Sequence, residues 1–203
     1  MGQEVFIFIG RSGVGKGTQI EFFKKYLAKK YPQKRVIVFA QGERLREFIK
    51  TPGYTAQLAK EIVHDKGLLL PEFIAVYNWA DFFIDNVRGE ENLILDGSPR
   101  KLREAELLDE ALEFYNKKDV YVVWMRGSRE WSTKLLLGRG RDDDTSENVK
   151  RRLDWFEKDV AETIKYFKKN KKYTVLEINA EQTKEEVHNE IVSKIEKRLI
   201  VRV

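Results

Sequence analysis

Apolar residues recur along this chain with two different periods. Five short runs are almost continuously apolar, at 5–9, 35–40, 93–95, 120–125 and 173–178. Runs of this length, rich in Val, Ile, Leu and aromatic side chains, predict strands buried on both faces. Between them the apolar positions fall at helical spacing. Ile20, Phe23 and Leu27 share one face of a helix predicted over 16–31, which Pro32 ends. Leu108 and Leu112 do the same over 104–115, and Val149, Leu153, Phe156, Val160, Ile164 and Phe167 along one long helix over 145–169. Further helices are expected over 43–50, 54–65, 71–87, 130–137 and 183–199, with breaks at Thr51-Pro52-Gly53 and Lys66-Gly67. Thr183 and Glu186 stand at capping-box spacing at the head of the last helix.

Buried strands alternating with helices mean a parallel sheet covered on both faces. The expected architecture is therefore α/β, a doubly wound five-stranded parallel sheet in one domain spanning 1–203. The helices between the second and third strands exceed an ordinary crossover and predict a helical insert at about 41–88. The polar stretch after Leu137 predicts a short separate segment at about 138–148. Ligands of such sheets sit at the carboxyl ends of the strands. The segment 10–19, Gln41-Gly42, Asp96-Gly97 and the turn after Met125 all fall at that edge.

Composition changes this picture little. Hydrophobic residues make up 42% of the chain, enough for a core, and 35% are charged with a net of +5. That excess suits a small anionic ligand as well as nucleic acid and does not argue for the latter. Lys24, Lys25, Lys29 and Lys30 read as a solvated helix face. Cysteine is absent, which excludes disulfides and thiolate chemistry. The first residues lack a signal pattern and no apolar run approaches a membrane span, so a cytoplasmic protein with no membrane partner is expected. His64 and His188 have no partners at metal spacing and read as structural. Trp79, Trp124, Trp131 and Trp155 read as core or interface residues.

The candidate chemistry begins at Gly10-Arg11-Ser12-Gly13-Val14-Gly15-Lys16-Gly17-Thr18-Gln19. A buried strand, a glycine-rich turn and a helix start in that order make a phosphate loop. Its glycines let backbone N–H groups of Ser12, Gly13, Val14, Gly15, Gly17 and Thr18 turn toward an anion, and the helix adds its positive end. Lys16 supplies a full charge for the outer phosphates. Asp96, closing the apolar run 93–95, faces this loop across neighbouring strands and suits Mg²⁺ held through water.

Gly15-Lys16-Gly17-Thr18-Gln19 departs from the general loop pattern by placing Gly after the Lys, and in this it resembles the adenylate kinases. Further segments resemble that family in order along nearly the whole chain. Asp96-Gly97-Ser98-Pro99-Arg100 is similar to its Asp-Gly-Phe-Pro-Arg segment, which implies that Arg100, next to Gly97, grips the acceptor phosphate. Gln41-Gly42-Glu43-Arg44-Leu45-Arg46 is similar to a Thr-Gly-Asp-x-Leu-Arg segment, which puts Arg46 on the same phosphate and Gln41 in place of a hydroxyl residue. Gly67-Leu68-Leu69-Leu70-Pro71-Glu72 implies that Leu70 meets the acceptor base. Ile178-Asn179-Ala180-Glu181 implies backbone contacts near the donor base. Arg141-Asp142-Asp143-Asp144 with Arg152 resembles the family's short lid, and Arg139 stands beside it. The aspartates would hold these arginines or cap the following helix. Leu135, beside Lys134, stands where the family has an arginine on the ATP base.

The resemblance implies a phosphate-loop NTPase-type fold and a kinase moving the γ-phosphoryl of MgATP onto a nucleoside monophosphate, AMP by family expectation. Its catalytic cations would be Lys16, Arg100, Arg139, Arg141 and Arg152, its partners ATP and the monophosphate, its state a monomer. Two departures leave the acceptor base open. Ser98 replaces a Phe, and Glu104 replaces a Gln whose amide offers adenine both a donor and an acceptor. A carboxylate only accepts. Glu104 therefore either shifts preference, toward GMP for example, or lies outside the pocket as a helix N-terminal acid. A pyrimidine monophosphate kinase, a kinase of a non-nucleotide molecule and a nucleotide-binding module without turnover are the alternatives.

Overall fold

The computed structural model describes residues 3–141 and 144–200. Strands β1 (Val5–Gly10), β2 (Val36–Ala40), β3 (Asn92–Asp96), β4 (Val120–Arg126) and β5 (Tyr173–Asn179) form one sheet in the order β2-β3-β1-β4-β5. Every pairing is parallel, and β1 lies at the centre with Val5 opposite both Leu93 and Val120.

The alternation along β1 explains the layering. Val5, Ile7 and Ile9 point to one face, where they meet Trp79 and Phe83 of α4 (Glu72–Asn86), Leu108 and Leu112 of α5 (Leu102–Phe114) and Ile164 and Phe167 of α8 (Ala161–Lys169). Phe6 and Phe8 point to the other, against Phe23 and Leu27 of α1 (Lys16–Lys30) and Ile191 and Ile195 of α9 (Lys184–Ile200). A strand that must satisfy two cores has no polar face, which is why it reads as an unbroken apolar run. Between β2 and β3 lie α2 (Gln41–Phe48), α3 (Tyr54–Lys60) and α4, with a small core of Leu45, Ala59, Leu70 and Ile74. After β4 come α6 (Arg129–Leu137) and α7 (Ser146–Trp155).

Three boundaries differ from the sequence reading. Helix α2 starts directly at the end of β2, at Gln41 rather than 43. The helix expected over 54–65 is α3 followed by a π-helical turn at Glu61–Asp65. The long helix expected over 145–169 is α7, a π-helical turn at Phe156–Val160, and α8. A single wide turn adds one residue without breaking the apolar stripe, so spacing alone reads straight through it. Thr145 caps α7 by accepting from Asn148 N, and Thr183 and Glu186 form the expected reciprocal box at the start of α9. No helix among the described residues is long and apolar enough to cross a membrane.

At the amino edge of the sheet, opposite the candidate site, Lys117 and Glu91 form an ion pair at 3.0 Å with both side chains only 1% exposed. Glu91 also accepts from the N–H groups of Arg88 and Gly89. Burial pushes its carboxyl up, but these donors and the Lys117 ammonium outweigh that and hold it below the usual range. A depressed carboxylate stabilises the fold above its unfolded pKa, and that contribution is lost as pH falls through the folded value. Lys117→Met strands the buried carboxylate and is expected to cost about 3 kcal/mol at neutral pH. Thermal unfolding checks this. A Tm equal to the parent's would show that the pair contributes nothing.

Candidate active site

The site grows from the end of β1. The chain turns there through Gly13 and Gly15, both left-handed with φ +81° and +97°, and enters α1 at Lys16. Space demands glycine as well as conformation: a Cβ on Gly13 would lie 2.7 Å from the Ser132 carbonyl oxygen. The Lys16 ammonium donates to the carbonyls of Gly10 and Arg11, each at 2.9 Å. Burial pushes it down to about 8, against the pull of Asp96 and with the push of Arg100 and Arg139. Arg11 leans outward over the Phe156 ring and pairs with Glu157, fastening the loop to the π-helical turn.

In front of this loop lies a cleft of about 1810 Å³. Its walls include Ser12, Gly13, Val14, Gly15, Lys16, Gly17 and Thr18 of the loop, Asp96 and Gly97 at the end of β3, and Arg46 of α2. Arg100, Leu135, Arg139, Arg141 and Arg152 line it too. One drug-sized ligand typically fills about 300–1,000 Å³. This cleft has room for two.

Local bonds aim the cations. The Arg100 side chain donates from Nε to the Gly97 carbonyl at 2.6 Å and lies 5.4 Å over the Trp155 ring. Burial lowers its pKa, opposed by Glu104 and Asp96, and a guanidinium stays charged regardless. Asp144 holds Arg139 through two bonds at 2.7 and 2.8 Å and Arg152 through one at 2.9 Å. Of the two roles open to the aspartate run, Asp144 holds arginines while Thr145 takes the cap; Asp142 and Asp143 lie outside the described residues.

Three expected acceptor-site residues stand apart from the main cleft. Gln41, Leu70 and Glu104 line a much smaller cavity that shares Arg100 and Leu68 with it. Glu104 is the N-terminal acid of α5 but is buried, accepting from Ser98 Oγ at 2.6 Å and from Arg100 N at 2.8 Å. The two departures from the family pattern are thus bonded to each other. Nothing in sequence spacing marks that pairing, because it depends on how the turn at Ser98-Pro99 folds back on α5.

Some lining residues escape a sequence reading. Trp131, His64 and Lys184 stand on the cleft wall, while Trp155, expected in a core or interface position, packs against the core on the Val5, Ile7 and Ile9 face and also borders the cleft. His64 lies beside Asp65, and His188 sits between the rings of Phe22 and Tyr26.

Among the described residues no three His, Cys, Asp or Glu side chains cluster as a metal cage. Asp96 and the Thr18 hydroxyl instead open on the cleft as oxygen donors. That sparse set fits Mg²⁺, which keeps waters and takes few protein ligands when phosphates are present.

A parallel sheet with a phosphate loop at its centre and arginines facing that loop defines a phosphate-loop phosphotransferase. The family model described as adenylate kinase matches residues 8–172. Adenylate kinase 1 of Nostoc sp. is 32% identical over 185 residues, covering 91% of this chain and 95% of that protein. The adenylate kinase of Azobacteroides pseudotrichonymphae is 31% identical over 92% of this chain and 94% of its own. That of Prochlorococcus marinus (strain AS9601) is 30% identical over 93% and 97%. The chain belongs to the adenylate kinase family, and it is a nucleoside monophosphate kinase.

Burial lowers the pKa of Lys16 to about 8, and a phosphate beside it would raise it again. At pH 8.5 a bound polyphosphate is expected to draw a proton back onto the ammonium. ATP binding followed by calorimetry in two buffers of different ionisation enthalpy should therefore show net proton uptake. Heats independent of the buffer would contradict this assignment.

Proposed function

We propose that this enzyme moves the γ-phosphoryl group of ATP in line onto the α-phosphate of AMP. What supports the reading is the gathering of a phosphate loop, Asp96 and the arginines Arg46, Arg100, Arg139, Arg141 and Arg152 on the walls of one cleft. The loop from Ser12 to Thr18 wraps the donor phosphates, and Lys16 leaves the carbonyls of Gly10 and Arg11 to meet them. Arg46 and Arg100 grip the acceptor phosphate from the opposite side. The segment at about 138–148 serves as a short lid that brings Arg139 and Arg141 over the migrating group, with Arg152 beneath. Leu135 and the backbone near Ala180 flank the donor base. The helices at about 41–88 form the acceptor-binding insert.

Asp96 would hold Mg²⁺ through water, and the ion would supply positive charge to the donor phosphates. The protein's own part is positional and electrostatic. Its cations lie where negative charge spreads in transfer, and its walls exclude water that would otherwise take the phosphoryl group. The same reading makes it a cytoplasmic monomer.

Diphosphate formation from MgATP with a panel of nucleoside monophosphates tests the proposal, and AMP is expected to be the best acceptor. Lys16→Ala and Arg100→Ala should each lower kcat by at least about 100-fold while circular dichroism stays unchanged. Full turnover in either variant would remove that residue from the mechanism.

A further inference from the structure

The small cavity beside the main cleft is about 20 Å³, room for roughly one water molecule. No purine ring fits there. It opens on the acceptor side, sharing Leu45, Val63, Leu68 and Arg100 with the cleft. A base lying against Leu68 and Val63 would place only an exocyclic group in it. What that group must be follows from the polar atoms around it.

Five polar side chains line the cavity; Glu72, Arg100 and Lys101 are partly exposed, and the two buried ones stand on opposite elements, Gln41 at the start of α2 and Glu104 in the first turn of α5. They are only 3% and 2% exposed, and their hydrogen bonding differs. Each Glu104 oxygen already has a donor, Ser98 Oγ for one and Arg100 N for the other. Those bonds tie Glu104 to the turn that carries Arg100. The Gln41 Oε1 is buried without any partner. A buried amide oxygen left unpaired costs about 1–3 kcal/mol, so a residue retaining one implies a donor that arrives from outside.

We propose, resting on the acceptor site described under Proposed function, that Gln41 is the specificity-determining residue that reads the acceptor base through an exocyclic amino group, while Glu104 is a positioning residue for Arg100. An amino group in the cavity donates to Gln41 Oε1, and Nε2, in the same planar amide, offers a donor to the neighbouring ring acceptor. That donor–acceptor pair matches the amino edge of adenine. A keto oxygen in the same place would face the Gln41 oxygen and the Glu104 carboxylate, acceptor against acceptor. The amide that the family carries on α5 has in effect moved across the pocket to α2, and Ser98 supplies the hydroxyl that the Glu left on α5 requires.

AMP and inosine monophosphate share phosphate and ribose and differ at this edge, an amino group beside a bare ring nitrogen in one and a keto oxygen beside a ring N–H in the other. Their dissociation constants, measured by calorimetry without ATP, test the assignment independently of turnover. The parent should bind AMP at least about tenfold more tightly. Gln41→Leu should bring the ratio near one. Gln41→Thr, smaller and still polar, should move it the same way and keeps the test usable if the Leu variant does not fold. Glu104→Gln should weaken both ligands together and keep their ratio, because it acts through Arg100 and the shared phosphate. A ratio unchanged in both Gln41 variants, or one that collapses in Glu104→Gln, would overturn the assignment while leaving the acceptor site intact. A parent that binds neither monophosphate would overturn the acceptor site itself, and this inference with it.

Discussion

Several cations must stand close together around one cleft without driving one another away. Lys16, Arg46, Arg100, Arg139, Arg141 and Arg152 all face the same space. In a partly desolvated site their mutual repulsion is several times what it would be in water. Specific acceptors offset that repulsion. Lys16 rests on the Gly10 and Arg11 carbonyls, Arg100 on the Gly97 carbonyl, and Arg139 with Arg152 on the buried Asp144. Under the proposed function each of these bonds would give way to a phosphate oxygen. Burial is the main reason that the pKa of Lys16 is lowered, and the neighbouring cations Arg100 and Arg139 add to it against the pull of Asp96.

The fold makes the gathering possible. Every strand runs the same way, so the carboxyl ends of β1, β2, β3 and β4 put the phosphate loop, α2, the Asp96–Arg100 turn and the α6 approach on a single rim. The opposite rim carries the buried Lys117–Glu91 pair. Between the rims the two cores on either face of β1 keep the loop from sagging into the sheet.

Much of this was legible in the residue order. Continuous apolar runs mark β1 to β5 because strands between two helix layers have no wet face. The loop glycines are legible because Gly13 has neither the backbone angle nor the space for a side chain. What stayed hidden depends on contacts between distant residues. The π-helical turns at Glu61–Asp65 and Phe156–Val160 leave apolar spacing intact and so leave no mark. Of three consecutive aspartates, only folding shows that Asp144 takes the arginines. Glu104 was readable as a departure, but its bond to Ser98 was not, since the two residues look like independent substitutions until the turn between them is seen.

The central claim is that one cleft takes donor and acceptor together, phosphate against phosphate. A bisubstrate analogue, two adenosines joined through a polyphosphate chain, addresses it in one titration. A single molecule per chain should bind more tightly than ATP or AMP alone and should displace both. An analogue that displaces ATP but leaves AMP binding unchanged would place the acceptor elsewhere and contradict the account.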